Sequence, residues 1–263
     1  MDLQLKDKTA LVTGSTAGIG LEIARKLAVE GAKVMVAGRN RNKLDEAVAS
    51  IRASGGKQVS GILADAATAE GAEVLLGAAG PVDILVNNLG IYESKSFTDI
   101  TDADWLKLFE TNVLSGVRLS RALMPAMLEK NWGRIIFISS ESALNTPVEM
   151  IHYGTTKTAQ LAISRGLATL AKGSAVTVNS VLPGPTRSEG IVDFLRSVSE
   201  NPSASEAELE AEFFRRGRPS SLIQRMHEAE EIANLVTFVA SPLASSITGA
   251  ALRVEGGIVQ TIA

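Results

Sequence analysis

Residues 9–20 read TALVTGSTAGIG, a short apolar run followed by a glycine-rich turn. The run Thr9–Val12 predicts a buried strand, and apolar residues at helical spacing predict a helix over Ile19–Glu30. Glycines at positions 14, 18 and 20 allow a tight turn and let a phosphate approach the backbone closely. The N–H groups of the following helix favour a bound pyrophosphate. The stretch therefore predicts the opening unit of a dinucleotide-binding fold, with a glycine turn that binds nothing as the alternative.

The alternation of strand and helix patterns continues to the end of the chain. Six further apolar runs, rich in Val, Ile and Leu, are typical of strands buried on both faces of a parallel sheet. They are Lys33–Ala37, Val59–Leu63, Val82–Val86, Arg134–Ile138, Val176–Val181 and Ala250–Val254. Further helical patterns cover Lys43–Ser54, Ala69–Ala79, Asp104–Lys130, Met150–Lys172 and Ala229–Val239. We expect one α/β domain over residues 1–263, a Rossmann-type doubly wound sheet of about seven parallel strands with helices on both faces.

One segment, Thr186–Leu222, interrupts this alternation. It is rich in Ser, Glu and Arg, and only Glu206–Phe214 within it has a helical pattern. Long insertions in compact domains are often lids or binding loops, and this one follows the end of a predicted strand, where open α/β sheets bind ligands. We interpret residues 186–222 as a substrate lid, with a solvated excursion that has no function as the alternative.

The composition excludes several classes of function. The 263 residues carry a formal net charge of −3, which gives no electrostatic reason to expect nucleic acid or an anionic membrane as a partner. With no cysteine and two histidines, neither a disulfide nor a metal site is expected. The first eight residues contain no apolar run like that of a signal peptide, and no stretch is long and apolar enough to span a membrane. A cytoplasmic location is the expectation.

Tyr153 and Lys157 are the residues whose chemistry is most informative. On a helix, positions four apart share a face, so a phenol and an ammonium are expected side by side. A free tyrosine has a pKa of about 10, and an ammonium at roughly 4 Å could favour the phenolate by up to about 4 kcal/mol. We expect Lys157 to lower the pKa of Tyr153 and to make it a general acid/base. By itself the pair is also compatible with a surface tyrosine beside a solvated lysine.

Together these features resemble the short, single-domain branch of the short-chain dehydrogenase/reductase family. Residues 13–20 match its Thr-Gly-x-x-x-Gly-Ile-Gly motif, and residues 153–157 match its Tyr-x-x-x-Lys motif. Residues 87–90 match Asn-Asn-Ala-Gly with leucine in place of alanine, and residues 254–257 match Val-Asp-Gly-Gly with glutamate in place of aspartate. The similarity covers essentially the whole chain.

The resemblance implies a catalytic set and a cofactor. The expected catalytic residues are Asn112, Ser140, Tyr153 and Lys157, with Ser140 favoured over Ser139 because it lies thirteen residues before Tyr153. The expected cofactor contacts are Gly14, Ser15, Thr16, Gly18, Ile19, Gly20, Arg39, Asp65, Asn88, Gly90, Tyr153, Lys157, Pro183, Gly184 and Thr186. Hydride would pass between NADP(H) or NAD(H) and a carbonyl or alcohol carbon. Tyr153 would supply the proton, and Asn112 would hold a water linking Lys157 to solvent.

Arg39 decides between the two cofactors. The second strand is followed by Arg39 and by no carboxylate, and an arginine at this point accommodates the 2′-phosphate of NADP(H). We therefore expect NADP(H) rather than NAD(H), unless Arg39 only covers the end of the strand. Asp65 is expected to contact the adenine, or alternatively to cap the next helix.

The substrate is not specified by the sequence. Glu141 is expected to face either the substrate or solvent, and His152 either the substrate or the opposite side of its helix. Loop positions indicate as pocket walls Ile91, Tyr92, Glu93, Asn145, Met150, Phe194 and Leu195. Alternatives are a family enzyme acting on C=N or C=C bonds, a dehydratase, or a regulator that binds nucleotide without turnover. The resemblance also implies a homo-oligomer, a tetramer or dimer, with Leu114, Leu119, Leu161 and Leu167 as candidate interface residues.

Overall fold

A computed structural model describes residues 1–262 of the chain. Its centre is a seven-stranded, fully parallel sheet in the order β3-β2-β1-β4-β5-β6-β7. The strands are β1 (Thr9–Val12), β2 (Lys33–Gly38), β3 (Val59–Leu63), β4 (Ile84–Asn87), β5 (Gly133–Ile138), β6 (Val176–Pro183) and β7 (Ala251–Val254). The predicted Rossmann-type fold is confirmed, since seven strands form near the seven apolar runs.

Helices connect the strands and cover both faces of the sheet. They are α1 (Gly18–Val29), α2 (Arg41–Ala53), α3 (Ala69–Ala79), α4 (Asp102–Phe109), α5 (Ser115–Glu129), α6 (Ile151–Leu170), α7 (Ile191–Val198), α8 (Glu206–Glu212) and α9 (Ala229–Ala240). Within residues 1–262, no helix has the length and apolar character that a membrane span requires.

Two apolar cores lie on opposite faces of the sheet because successive strand residues point to opposite sides. Val12 and Ile136 belong to the core with α1, α2 and α9, whereas their neighbours Leu11 and Ile135 belong to the core with α3 and α5. All four side chains are at most 1% exposed. Such double burial explains why the strands appear in the sequence as continuous apolar runs.

The predicted helix Asp104–Lys130 is present, as a helical segment from Asp102 to Glu129, but it is not α-helical throughout. A five-residue π-helical turn, Glu110–Leu114, separates α4 from α5. At its centre, the backbone carbonyl of Asn112 accepts a hydrogen bond from Gln160 Nε2 at 2.5 Å. The periodicity of apolar residues does not reveal one extra residue in a turn. Leu119, a candidate interface residue, is fully buried in the core on the α3 and α5 side. The π-helical turn changes the rotation of α5 relative to α4, and this rotation determines which face of α5 packs against the sheet.

The segment 186–222 is a structured insertion between β6 and α9. It contains α7, α8 and a π-helical turn, Phe213–Gly217. Leu195, Leu209, Phe213 and Phe214 form a small apolar core of its own with Met226. The sequence showed only the second of its two α-helices.

Candidate active site

The carboxyl ends of four neighbouring strands place the predicted site residues at one edge of the sheet. β1 leads into the glycine turn, β4 into Asn88, β5 into Ser139 and Ser140, and β6 into Gly184. In a parallel sheet these ends lie together, and ligands of open α/β sheets bind there. The topology therefore brings together residues that are more than 100 positions apart in the chain.

The glycine turn fits a nucleotide pyrophosphate. Gly14 and Gly18 have φ values of +58° and +54°, which residues with a Cβ rarely adopt. A Cβ on Gly20 would lie 2.4 Å from Asn88 Nδ2 and 2.5 Å from Gly14 O. The Asn88 amide ties the turn together by donating to Thr13 O and Gly14 O at 3.0 Å. The backbone at the start of α1 is thereby open to an anion.

Ser15, a predicted cofactor contact, has its polar groups bonded within the protein. Its hydroxyl donates to Val12 O at 2.6 Å and accepts from Ala37 N at 3.0 Å, and its N–H donates to Ala37 O. The residue is fully buried. Ser15 thus links β1 to β2 and holds the turn in shape.

Arg39 and Asp65 line a cavity of about 630 Å³ beside the glycine turn, together with Thr16. The Arg39 guanidinium lies 3.6 Å from an Asp65 carboxylate oxygen, and the Arg39 side chain is 80% exposed. An arginine so exposed has free N–H groups for a phosphate. Asp65 does not cap α3, because Thr68 occupies that position and its side chain accepts from Gly71 N.

Ser140, Tyr153 and Lys157 line a second cavity of about 280 Å³, which also reaches the glycine turn at Ile19 and Gly20. Tyr153 and Lys157 lie one turn apart on α6. Lys157 Nζ is 5.6 Å from the centroid of the Tyr153 ring and donates to Ile138 O at 2.9 Å. The predicted tyrosine, lysine and serine therefore share one space with the start of α1.

Gly90 and the side chain of Asn112 shape the space around Lys157. A Cβ on Gly90 would lie 3.2 Å from Lys157 Nζ, so the absence of a side chain there leaves room for the ammonium. Asn112 lies one layer deeper. Its amide donates to Ile91 O and Thr156 Oγ1, and its carbonyl oxygen Oδ1 accepts from Ile91 N. Asn112 fixes the loop after β4 against α6, and its predicted water relay stays a prediction.

The pKa of Tyr153 moves in the direction opposite to our expectation. Burial raises the pKa of its phenol, hydrogen bonding with Ser140 lowers it, and the charge of Glu141 raises it further. The prediction of an acidified phenol was wrong for this structure because desolvation of the phenolate outweighs the stabilising interactions. Burial also lowers the pKa of Lys157, to about 8.

Glu141 faces the cavity rather than solvent and is 3% exposed. Its carboxylate accepts hydrogen bonds from Ser140 and Ser142 and forms a buried ion pair with Arg218 of the insertion. Arg218 was not predicted as a site residue. Its sequence signal was confined to a charged stretch, and no local pattern links two residues 77 positions apart.

The loop after β6 closes the far side of the cavity, with Pro183, Gly184 and Thr186 in its wall. The Thr186 hydroxyl donates to Gly184 O at 2.8 Å, and Thr186 pairs with His227 in an isolated parallel bridge. A Cβ on Gly184 would lie 2.7 Å from the His227 ring. His227 therefore packs against this loop at Gly184 and Thr186.

The predicted pocket walls divide between four places. Tyr92, Met150 and Phe194 line the catalytic cavity. Ile91 and Glu93 line the cavity beside Arg39, and Leu195 is buried in the core of the insertion. Asn145 is exposed on a loop.

His152 lies away from the catalytic cavity. It is fully buried, and its ring meets Trp105 edge to face at 5.9 Å. Burial lowers the pKa of its imidazole. Its position on the other side of α6 from Tyr153 agrees with the helical geometry, since adjacent residues do not share a face.

Comparison with known proteins identifies the family. Residues 8–196 match the family described as short chain dehydrogenase. The chain belongs to this family.

Among residues 1–262 we find no cluster of three or more His, Asp or Glu side chains that could hold a metal ion.

Relatives in the short-chain dehydrogenase family match the chain over its whole length. The uncharacterized oxidoreductase YvaG of Bacillus subtilis is 49% identical, with 100% of both chains covered. The 3-oxoacyl-[acyl-carrier-protein] reductase FabG of Escherichia coli is 35% identical, covering 97% of this chain and 99% of the relative. The crystal structure of L-sorbose reductase from Gluconobacter frateurii, complexed with NADPH and L-sorbose, is 30% identical and covers 100% of both chains with a TM-score of 0.91.

As a short-chain dehydrogenase, the chain departs from the family motifs at two positions. Leu89, in place of alanine, packs against the core on the α3 and α5 side and lines the cavity beside Arg39. Glu255, in place of aspartate, is buried and accepts hydrogen bonds from Ile258 N and Val259 N. Neither departure touches Tyr153 or Lys157.

Proposed function

We propose that this short-chain dehydrogenase transfers hydride between NADP(H) and a carbonyl/alcohol substrate, with Tyr153 as the general acid/base. The observation that carries the proposal is the convergence of Ser140, Tyr153 and Lys157 on one cavity that opens onto the glycine turn. A phenol and a hydroxyl at one point can hold a single reacting oxygen. The nicotinamide, when bound, supplies or accepts the hydride.

The protein side chains would divide the remaining work. Tyr153 gives its proton to the substrate oxygen during reduction, and Ser140 stabilises the negative charge that develops on that oxygen. The raised pKa of Tyr153 keeps the phenol protonated, which suits a proton donor. Lys157, which is buried beside the phenol, supplies positive charge and a hydrogen-bond donor for the nicotinamide ribose.

Arg39 supports NADP(H) as the cofactor. It lies at the end of β2 in the cavity beside the glycine turn, where the ribose of a dinucleotide is bound in this fold. The carboxylate next to Arg39, that of Asp65, lies after β3 and is already paired with Arg39. The related L-sorbose reductase was crystallised with NADPH, which agrees with this assignment.

The insertion would act as a substrate lid. Ile191, Phe194, Phe213 and Arg218 all line the cavity that contains Tyr153. Phe194 contacts Tyr92 edge to face, and Tyr92 contacts Tyr153 in the same way. A lid of this composition excludes water and favours small substrates with an apolar part.

We also propose a homo-oligomer in the cytoplasm. Leu106 and Phe109 on α4 and Leu170 at the end of α6 are exposed apolar side chains that are available for a subunit contact. A molar-mass measurement in solution tests this part, and a monomer at micromolar concentration contradicts it.

The function is tested by following nicotinamide absorbance across a panel of ketones, aldehydes, alcohols, imines and activated alkenes. We expect turnover of carbonyl or alcohol compounds and at least a ~10²-fold lower kcat for Tyr153→Phe, since general acid catalysis contributes that much. Turnover confined to imines or alkenes favours the other family chemistries. Binding of NADPH without turnover of any compound favours a regulator.

A further inference from the structure

A buried ion pair forms part of the wall of the catalytic cavity. Arg218 Nε donates to Glu141 Oε1 at 3.0 Å, and the two side chains are 7% and 4% exposed. Burying two charges costs several kcal/mol per ion before their attraction is counted. Glu141 adjoins Ser140 in the chain, whereas Arg218 comes from the end of the insertion.

The second carboxylate oxygen of Glu141 holds the predicted catalytic serine. Oε2 accepts from Ser140 Oγ at 2.5 Å and from Ser142 Oγ at 2.7 Å. Ser140 Oγ in turn accepts from Ser142 N at 3.1 Å. A hydroxyl has one proton and two lone pairs. The proton is therefore directed to Glu141 and one lone pair to Ser142 N, and the same hydroxyl also lies within hydrogen-bonding reach of Tyr153.

Arg218 is held as firmly as Glu141. Its N–H donates to Phe213 O at 3.0 Å, and Nη1 donates to Gly217 O at 2.8 Å. The guanidinium lies 5.4 Å from the centroid of the Phe213 ring, and Nη1 is 3.5 Å from Glu149. Arg218 is thus fixed within the insertion and connects the insertion to Glu141 through its side chain.

We propose that Glu141 is a positioning residue for Ser140, and that Arg218 couples its position to the insertion. The inference rests on the proposed reductase function. A serine side chain without partners turns among staggered positions, whereas Glu141 and the Ser142 N–H hold Ser140 Oγ in one of them. Glu141 fixes Oγ at a point from which its proton can turn to the reacting oxygen as that oxygen becomes negative.

Arg218 has a second, electrostatic part in this arrangement. An unpaired carboxylate beside the reacting oxygen would oppose the negative charge that develops there. The guanidinium offsets that charge at 3.0 Å from Glu141 Oε1. The ion pair therefore orients the serine while Arg218 reduces the repulsion between Glu141 and the developing negative charge. No proton is transferred to Glu141, which acts only as an acceptor.

The test is a double-mutant comparison with Ser140→Ala. In Glu141→Gln, one carbonyl oxygen remains for the serines while the amide faces Arg218 donor to donor. We expect kcat for carbonyl reduction to fall about tenfold, less than the ~10²–10³ that loss of a whole oxyanion donor costs, with KM changed less than threefold. The kcat of Glu141→Ala should be lower still, because no acceptor for Ser140 remains. In the Ser140→Ala background, Glu141→Gln should change kcat less than twofold.

Glu149→Gln is the matched control, because Glu149 touches Arg218 from the other side but is not bonded to Ser140. Equal falls in kcat with and without Ser140, or a rise in KM at constant kcat, overturn the positioning role while leaving the reductase function intact. If Ser140→Ala has too little activity to compare, the single variants decide. A kcat that falls from wild type to Glu141→Gln and again to Glu141→Ala at nearly constant KM supports the positioning role, and any other order overturns it. A wild-type protein that reduces no carbonyl overturns both proposals.

Discussion

The glycine turn keeps its shape because its glycines have no side chains. The wall of the catalytic cavity, by contrast, is held by an ion pair between two charged side chains. A Cβ on Gly20 would lie within 2.5 Å of two atoms. Glu141 and Arg218, by contrast, are large, buried and paired across 77 residues. The first site leaves no room for a Cβ at position 20, and the second depends on two partners that are buried together. Local sequence specifies the turn, and the tertiary fold specifies the wall.

Gly20→Ala gives the largest expected effect because it breaks the first kind of site directly. Overpacking costs about 1–3 kcal/mol, more than the gain of up to about 1 kcal/mol from replacing glycine by alanine in a helix. We expect a lower free energy of unfolding in urea and loss of NADPH binding. Gly166→Ala in α6 is the matched control, because no atom lies within 4 Å of its added Cβ. A stable, NADPH-binding Gly20→Ala protein would show that the turn can move.

Arg39→Ala tests the proposed contact with the 2′-phosphate of the cofactor. A hydrogen bond to a charged group contributes about 1.5–3 kcal/mol, and the high exposure of Arg39 places the effect at the lower end, about tenfold in Kd. We expect weaker NADPH binding and little change for NADH, measured by nicotinamide fluorescence. Arg41→Ala, which removes the next arginine, should change neither. Equal losses for both cofactors would contradict the role of Arg39.

The pH dependence of reduction tests the catalytic wall. The pKa of Lys157, lowered by burial to about 8, means that the lysine is protonated below that pH and neutral above it. Tyr153, whose pKa is raised, stays protonated throughout this range. We therefore expect kcat/KM for carbonyl reduction to be constant at lower pH and to fall as the pH rises through about 8. A profile that is flat across this point contradicts the assignment.

Phe194→Ala is the smallest of the expected effects and concerns the insertion. An aromatic pair contributes about 0.5–1.5 kcal/mol beyond its buried area, and Phe194 contacts both Tyr92 and Phe213. We expect KM for the carbonyl substrate to rise about two- to tenfold, with the Kd for NADPH unchanged. Steady-state kinetics and fluorescence titration give the two values. A rise in the NADPH Kd alone would place the insertion over the cofactor instead.

The sequence was most informative where one element carries all the information. The strands and the glycine turn depend on burial and local geometry, and they were predicted close to their observed positions. The choice of Ser140 rested on the family resemblance instead, and its catalytic role stays a prediction. Three features could not be predicted. The π-helical turn within Asp104–Lys130 leaves no trace in the apolar periodicity, the burial of Leu119 depends on the phase of α5, and the Glu141–Arg218 pair depends on tertiary contact. The pKa of Tyr153 was predicted in the wrong direction because burial is a property of the fold.

The π-helical turn at Glu110–Leu114 has a consequence for how the chain can change in length. One extra residue sets α4 about 100° out of phase with an ideal continuation of α5. Deleting a single residue there would give a more regular helix. It would also rotate α4 and withdraw Asn112 from Ile91, Thr156 and Gln160. The deletion would therefore make the helix more regular and at the same time remove the contacts through which Asn112 holds the loop after β4 against α6.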